Sequence, residues 1–270
     1  MAGKKKRGTK KRRTKKRNRV IIWICNVLIV VFLCIAAFCA YQIITQLLTQ
    51  KEGEETYTEL QDLAGDETEE VVVEDEEGEE TTYTLRTIDF DALKAVNEDV
   101  VAWLELEGTI IDYPVVQGTD NTYYLKHLLD GSYHYFGTLF VDYQNSAGFT
   151  DANTVIYGHQ IKAGDMFHIL KYYRDQDYYD EHPYFMLYTP EVTYRLDLFA
   201  GCLIDGDDGV PLTFSSDEEF LAYFNAKIAA STFTSDVTIT ADDRVVTLYT
   251  CAYDFDGARY VVYGKLVPLT

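Results

Sequence analysis

Residues 245–251 read Val-Val-Thr-Leu-Tyr-Thr-Cys, and after seven intervening residues the chain resumes with Arg259-Tyr260-Val261-Val262-Tyr263. Both runs are rich in β-branched and aromatic residues, and the segment between them holds Asp254, Asp256 and Gly257, so the pair reads as two strands joined by a hairpin loop. The first strand ends on a thiol and the second opens on a guanidinium, which the hairpin returns to that thiol. Side chains alternate along a strand, so Val245, Thr247, Tyr249 and Cys251 share one face and Val246, Leu248 and Thr250 the other.

Working outward, further strands are expected at Val101–Glu105, Ile110–Val116, Thr138–Asp142, Thr154–Tyr157, Tyr184–Tyr188, Thr193–Ala200 and Val237–Thr240. Two helices interrupt them, a short one at Met166–Tyr173 and a longer one at Asp217–Ala230. Ser216 or Asp217 caps the longer, and Phe220, Leu221, Phe224 and Ile228 lie on one of its faces. A capped helical turn beginning at Asp89 should open the domain near Leu85. Many strands and few helices in residues 85–270 predict a mainly β (α+β) fold, a closed or nearly closed β-barrel with peripheral helices.

The N-terminal third has a different composition. Val20–Tyr41 is 22 residues without a charge, long enough at ~1.5 Å per helical residue to cross the ~30 Å hydrocarbon core of a bilayer. No small-x-small cleavage site suits it, so an uncleaved anchor over 20–44 is expected. Residues 1–19 hold 12 of the 24 Lys and Arg, which places this basic tail in the cytoplasm and everything beyond about residue 45 outside. The remaining chain carries 12 basic against 44 acidic side chains, a balance that excludes a nucleic-acid-binding globular domain. Residues 51–80 contain 15 Asp or Glu, so 45–84 is expected to be a solvated acidic stalk. The Val71-Val72-Val73 run and Gly53, Gly65 and Gly78 argue against one long helix there.

Of five cysteines, Cys25, Cys34 and Cys39 fall in the apolar run, leaving Cys202 and Cys251. That pattern builds neither a zinc cluster nor a disulfide framework, although a single Cys202–Cys251 bridge stays open. Cys202 reads as a small buried hydrophobe; Cys251, at a strand mouth, suits a nucleophile, while burial is the usual setting of a free thiol. His159 ends Thr154-Val155-Ile156-Tyr157-Gly158-His159, where an imidazole is available for acid–base work or for packing. Arg259 suits oxyanion stabilisation or an ordinary surface charge. His127, His134, His168 and His182 are assigned to packing or surface. The acidic pairs Asp207-Asp208 and Asp254/Asp256 lack calcium-loop spacing and are read as solvated loops.

The combination is more informative than its parts. Trp103-Leu104, Gly108-Thr109-Ile110-Ile111-Asp112-Tyr113-Pro114-Val115-Val116-Gln117, Asp120-Asn121 with Tyr124-Leu125, Gly137-Thr138-Leu139-Phe140-Val141-Asp142, Tyr157-Gly158-His159, Met166-Phe167 and Thr247-Leu248-Tyr249-Thr250-Cys251 with Arg259 follow one another over some 160 residues. In this order the sequence resembles a class B sortase. The resemblance implies a sortase barrel, with the longer helix before the cysteine strand as the class B elaboration. It implies a membrane-tethered cysteine transpeptidase that cleaves an NPxT(G/N)-like signal near the C-terminus of a secreted protein and joins the new end to a cell-wall amine. Cys251 would be the nucleophile, His159 the acid and base, and Arg259 the oxyanion and substrate ligand. Asn121, Leu125, Tyr249 and Thr250 would contact the signal, and no metal or organic cofactor is required. Tyr249 departs from the family, which more commonly has a small residue such as Ser there. A pilin polymerase and a non-catalytic anchored adhesion or sensor domain are the alternatives, and the activation of Cys251 discriminates the last of these.

Overall fold

The computed structural model describes residues 7–74, 80–161 and 164–270. It divides into two compact units, Met1–Glu52 and Gly53–Thr270. A helix, α1, runs Arg7–Ala64. It contains the apolar run, and among the described residues it is the helix long and apolar enough to cross a membrane.

The acidic segment differs from the expected stalk. α1 continues to Ala64, and Thr68–Glu74 (β1) and Glu80–Arg86 (β2) then form an antiparallel hairpin. The reason is the placement of the few non-acidic residues. Gly53, Tyr57, Leu60 and Ala64 recur at helical spacing and are buried in the second unit, while Glu54, Glu55, Glu59 and Asp62 face solvent. The compact unit therefore begins at Gly53 rather than Leu85. Gly53 sits inside the helix, Gly65 follows its end, and Gly78 lies outside the described residues. Arg86 secures the junction, donating to the Gly65 and Gln61 carbonyls and pairing with Asp112 at 2.7 Å.

Asp89 caps the short helix α2 (Phe90–Val96) by accepting from the Ala92 amide. The barrel follows in eight strands: β3 Val100–Glu105, β4 Asp112–Val116, β5 Leu139–Val141, β6 Asn153–Tyr157, β7 Tyr184–Tyr188, β8 Thr193–Asp205, β9 Val245–Cys251 and β10 Ala258–Pro268. They close in the order β10-β8-β7-β3-β4-β5-β6-β9. Closure leaves the barrel itself without an unpaired edge. Pairing is antiparallel except between β4 and β5 and between β6 and β9. A 3₁₀ helix occupies Phe167–Arg174, followed by α3 (Gln176–Glu181), and α4 spans Asp217–Ala229 behind a Ser216 cap.

Val237–Thr240, expected as a strand, is irregular. Val237 and Ile239 instead pack into a second apolar cluster with Phe199, Phe220, Phe224 and Tyr263, so their apolar character is used without a partner strand. That cluster lies on the face of β9 and β10 opposite the main core: Val246, Leu248 and Val262 belong to the inner core, Val245, Val261 and Tyr263 to the outer cluster. Most residues on both faces of this wall are buried, and burying each large side chain there stabilises by roughly 1.5–3 kcal/mol.

Candidate active site

Three strand ends converge at one mouth of the barrel. In the β9–β10 ladder Cys251 lies directly opposite Arg259. β6 runs parallel to β9 with Tyr157 paired to Tyr249, and His159 and Cys251 each follow two residues beyond this last pair. The Gly158 amide donates to the Tyr249 carbonyl at 3.1 Å, and the Thr250 hydroxyl donates to the Gly158 carbonyl at 2.7 Å. These two bonds extend the parallel pairing past the end of β6 and hold the peptide that leads into His159. Gly158 is needed here, because a Cβ would meet the side chains of Leu139 and Phe167 at 2.5 Å.

Cys251 is half-buried and carries no disulfide. His159 is half-buried as well, and its Nε2 lies 2.6 Å from the Leu125 carbonyl oxygen. A carbonyl only accepts, so Nε2 carries a proton and Nδ1 is the nitrogen available for proton exchange. The Arg259 guanidinium donates to the Gly257 and Ala258 carbonyls at 3.0 Å. Burial raises the Tyr249 phenol above its ordinary pKa, and the Arg259 charge opposes that rise.

The remaining expected contacts separate into groove and support. Tyr249 is half-buried and meets the Tyr157 ring edge-on at 5.1 Å. The Tyr157 hydroxyl and the Asn121 amide nitrogen both donate to the same Asp142 oxygen, at 2.9 and 2.8 Å, and the Asn121 carbonyl oxygen accepts from the Tyr143 amide. Asn121 is thus tied into the wall by both ends of its side chain. Leu125 is half-buried, and what it lends the site is its backbone carbonyl as well as its side chain. Thr250, expected to touch the signal, is 1% exposed with its hydroxyl consumed by Gly158, so it positions the two strands instead. Its place on the inward face of β9 is the physical reason.

On the other side of the two strand ends, Gln160, Tyr172, Arg174, Tyr253 and Asp254 line a shallow cleft. Asp254, read from sequence as a solvated loop residue, forms a bidentate pair with Arg174 at 2.7 and 2.8 Å. The pair ties the loop after Cys251 to the Phe167–Arg174 turn. Asp142 was read only as the end of a strand and of a motif, with no site role given to it, and Arg174 was not singled out, because neither is close in sequence to Cys251 or Arg259. The other histidines lie elsewhere: His127 stacks on Tyr123, His134 is buried beside Phe136, His168 sits by Lys171 and His182 by Tyr178.

A closed eight-stranded barrel with cysteine, histidine and arginine at neighbouring strand ends agrees with what comparison with known proteins finds. Residues 104–267 match the family model described as the Sortase domain. Sortase B of Listeria monocytogenes is 37% identical over 178 residues, covering 65% of this chain and 72% of that protein. Sortase B of Staphylococcus aureus is 31% identical over 184 residues, covering 67% and 75%. The crystal structure of sortase B from Bacillus anthracis in complex with AAEK1 superposes with a TM-score of 0.69 at 31% identity, covering 82% of this chain and 99% of that one. The chain belongs to the sortase family. Within it the relatives are class B enzymes, and the protein is a class B sortase, a cysteine transpeptidase of the kind that anchors proteins to the cell wall.

Proposed function

We propose that this sortase recognises an NPxT(G/N)-like C-terminal signal and cleaves it after the threonine, using Cys251, His159 and Arg259. The Cys251 thiolate adds to the threonine carbonyl, and the negative charge moves to the carbonyl oxygen, where the Arg259 guanidinium offsets it. The C–N bond then breaks as protonated His159 gives its proton to the departing amine, leaving a thioester on Cys251. A cell-wall amine attacks that thioester, His159 takes the proton it sheds, and the thiolate is restored as the new amide forms. The observation that carries this reading is register: Arg259 is the direct partner of Cys251, and the parallel β6–β9 pairing ends on Tyr157 and Tyr249, each two residues before His159 and Cys251. The bond from His159 Nε2 to Leu125 supports it, by fixing the imidazole in one orientation as a third member fixes the base of a triad.

In this reading Asn121, Leu125 and Tyr249 wall the groove for the part of the signal before the threonine. The apolar run of α1 anchors the enzyme, with the basic tail of residues 1–19 in the cytoplasm and the barrel outside. The partners are secreted proteins bearing the signal and a peptidoglycan or precursor amine. The test is chemical trapping: the full chain in detergent, incubated with an NPxTG-type peptide and quenched in acid, should carry the peptide's acyl fragment as a thioester on Cys251. Acylation of Cys202 instead would overturn the assignment.

A further inference from the structure

We infer that Tyr57, on the last turns of α1, is a positioning residue for His159, acting through the loop that holds the imidazole; the inference rests on the acid–base reading of His159 given above. Tyr57 is 4% exposed, and its hydroxyl donates to the Gly137 carbonyl. The ring is wedged edge-on against Tyr113 at 5.0 Å, so the hydroxyl has little freedom to leave this junction.

Gly137 and Thr138 lie against the backbone that binds the imidazole. Gly137 has φ +62° and comes so close to the Leu125 carbonyl that a Cβ would meet its carbon and oxygen at 3.0 Å. The Thr138 amide donates to the Tyr124 carbonyl at 2.9 Å, and the Thr138 hydroxyl to the His127 carbonyl at 2.9 Å. These bonds staple residues 137–138 across the Tyr123–Leu125 turn, one peptide on either side of Leu125. The Leu125 carbonyl then receives His159 Nε2 at 2.6 Å. A continuous path of short contacts therefore joins the Tyr57 hydroxyl to the imidazole. Each link is a hydrogen bond or a backbone contact with little slack.

The path gives a reason for a phenol at position 57. Packing between helix and barrel would be satisfied by Phe, as the neighbouring stripe residues Leu60 and Ala64 are purely apolar. Gly137 is buried, and without the hydroxyl its carbonyl loses the donor that fixes the peptide. The staple relaxes, the Leu125 carbonyl drifts, and the imidazole samples orientations and tautomers that do not serve the thiol. Tyr57 is itself buried and remote from Asn121 and Tyr249, and its path ends on the Leu125 backbone carbonyl that holds the imidazole, so the loss should fall on kcat more than on KM.

The experiment compares the wild type with Tyr57→Phe as full chains in detergent, using an NPxTG-type peptide with hydroxylamine as the acceptor, together with nitrogen-15 spectra of the histidine rings. The expected result is kcat lowered about 3- to 10-fold with KM for the peptide within two-fold. The His159 signals should move from a fixed Nε2–H tautomer toward an averaged one. Unchanged kcat and unchanged His159 signals in a cooperatively folded variant overturn the inference, as does a lowered melting temperature with both readouts unchanged. If Tyr57→Phe does not fold, Thr138→Val, which cuts the same staple from the loop side, is judged by the same criteria. His159→Ala separates the two readings: transfer retained in that variant defeats the acid–base role, whereas a His159 spectral change in Tyr57→Phe still supports the positional link.

Discussion

The two thiols of the folded unit occupy one wall of the barrel, on either side of β10, and their surroundings oppose each other. Cys202 sits inside β8, three residues before its end and opposite Val261, 2% exposed, with its Sγ–H donated to the Lys227 carbonyl of α4 at 3.3 Å. Burial pushes its pKa up to about 11. Cys251 is the last residue of β9, half-buried, opposite a guanidinium and followed by a loop in which Tyr253 and Phe255 are exposed. Mid-strand position beneath a helix makes a thiol a packing residue, whereas a strand end beside two other strand ends makes it available for chemistry. Residue type is constant across this comparison, so position in the topology carries the difference.

The strongest way to break that contrast is to remove each thiol in turn. Cys251→Ala should abolish transfer while the protein melts as the wild type does, and Cys202→Ala should leave the kinetics of transfer unchanged; peptide-release assays check both. Next is the cation. Arg259→Lys keeps the charge but loses the planar fork, and the loss of one oxyanion donor typically lowers kcat by about 100- to 1000-fold. Kinetics within a few fold of wild type would move Arg259 out of the site. Alkylation sharpens the same comparison without substrate. Iodoacetamide at pH 8, followed by peptide mapping, should label Cys251 at least about 10-fold faster than Cys202. The raised pKa of Cys202 also has a sign for stability: its neutral form favours the fold fully below the ordinary thiol value, and that contribution is lost as pH rises through 9 toward about 11. Cys202→Ala should remove this part of the alkaline decline.

A smaller effect is expected from Asp254, whose carboxyl the Arg174 guanidinium holds below the usual range. The pair is exposed, and its contribution is present above the ordinary carboxylate pKa and lost as pH falls through the lowered one. Asp254→Asn should slow transfer by a few fold through a looser loop after Cys251. Restoration by the exchanged pair, Arg174→Asp with Asp254→Arg, would separate geometry from local charge.

How much of this was legible depends on whether the information is side-chain pattern or backbone placement. The Cys251–Arg259 hairpin could be read because two β-rich runs flank a short polar loop, and register then follows from its length. Helix α4 was legible from its cap and its Phe220–Phe224 stripe. Two other features escaped. The helix ending at Ala64 was hidden by acidic composition, since only Tyr57, Leu60 and Ala64 mark its buried stripe. The group that orients His159 is a carbonyl, which every residue possesses, so nothing in the identity of Leu125 announces it. Val237 and Ile239 show the opposite failure, where β-propensity was present and the chain used it for packing alone.

The last effect, on selection and not on rate, concerns Tyr249, which lies on the same face of β9 as Cys251 with its ring against Tyr157. In the proposed reading a phenol here narrows the groove. Tyr249→Ser should open the groove while leaving Cys251, His159 and the inner core in place, because Val246 and Leu248 carry the core contacts of β9. The effect should therefore appear in selection between peptides rather than in the thiol itself. The ratio of kcat/KM between NPxTG-type peptides and variants in the first residue should shift by about 3- to 10-fold, the scale on which a small change in pocket shape discriminates between substrates. Alkylation of Cys251 should proceed at nearly the wild-type rate. A changed alkylation rate with an unaltered peptide ranking would mean that Tyr249 acts through Arg259 on the thiol, and that the groove beside Cys251 is walled by other residues.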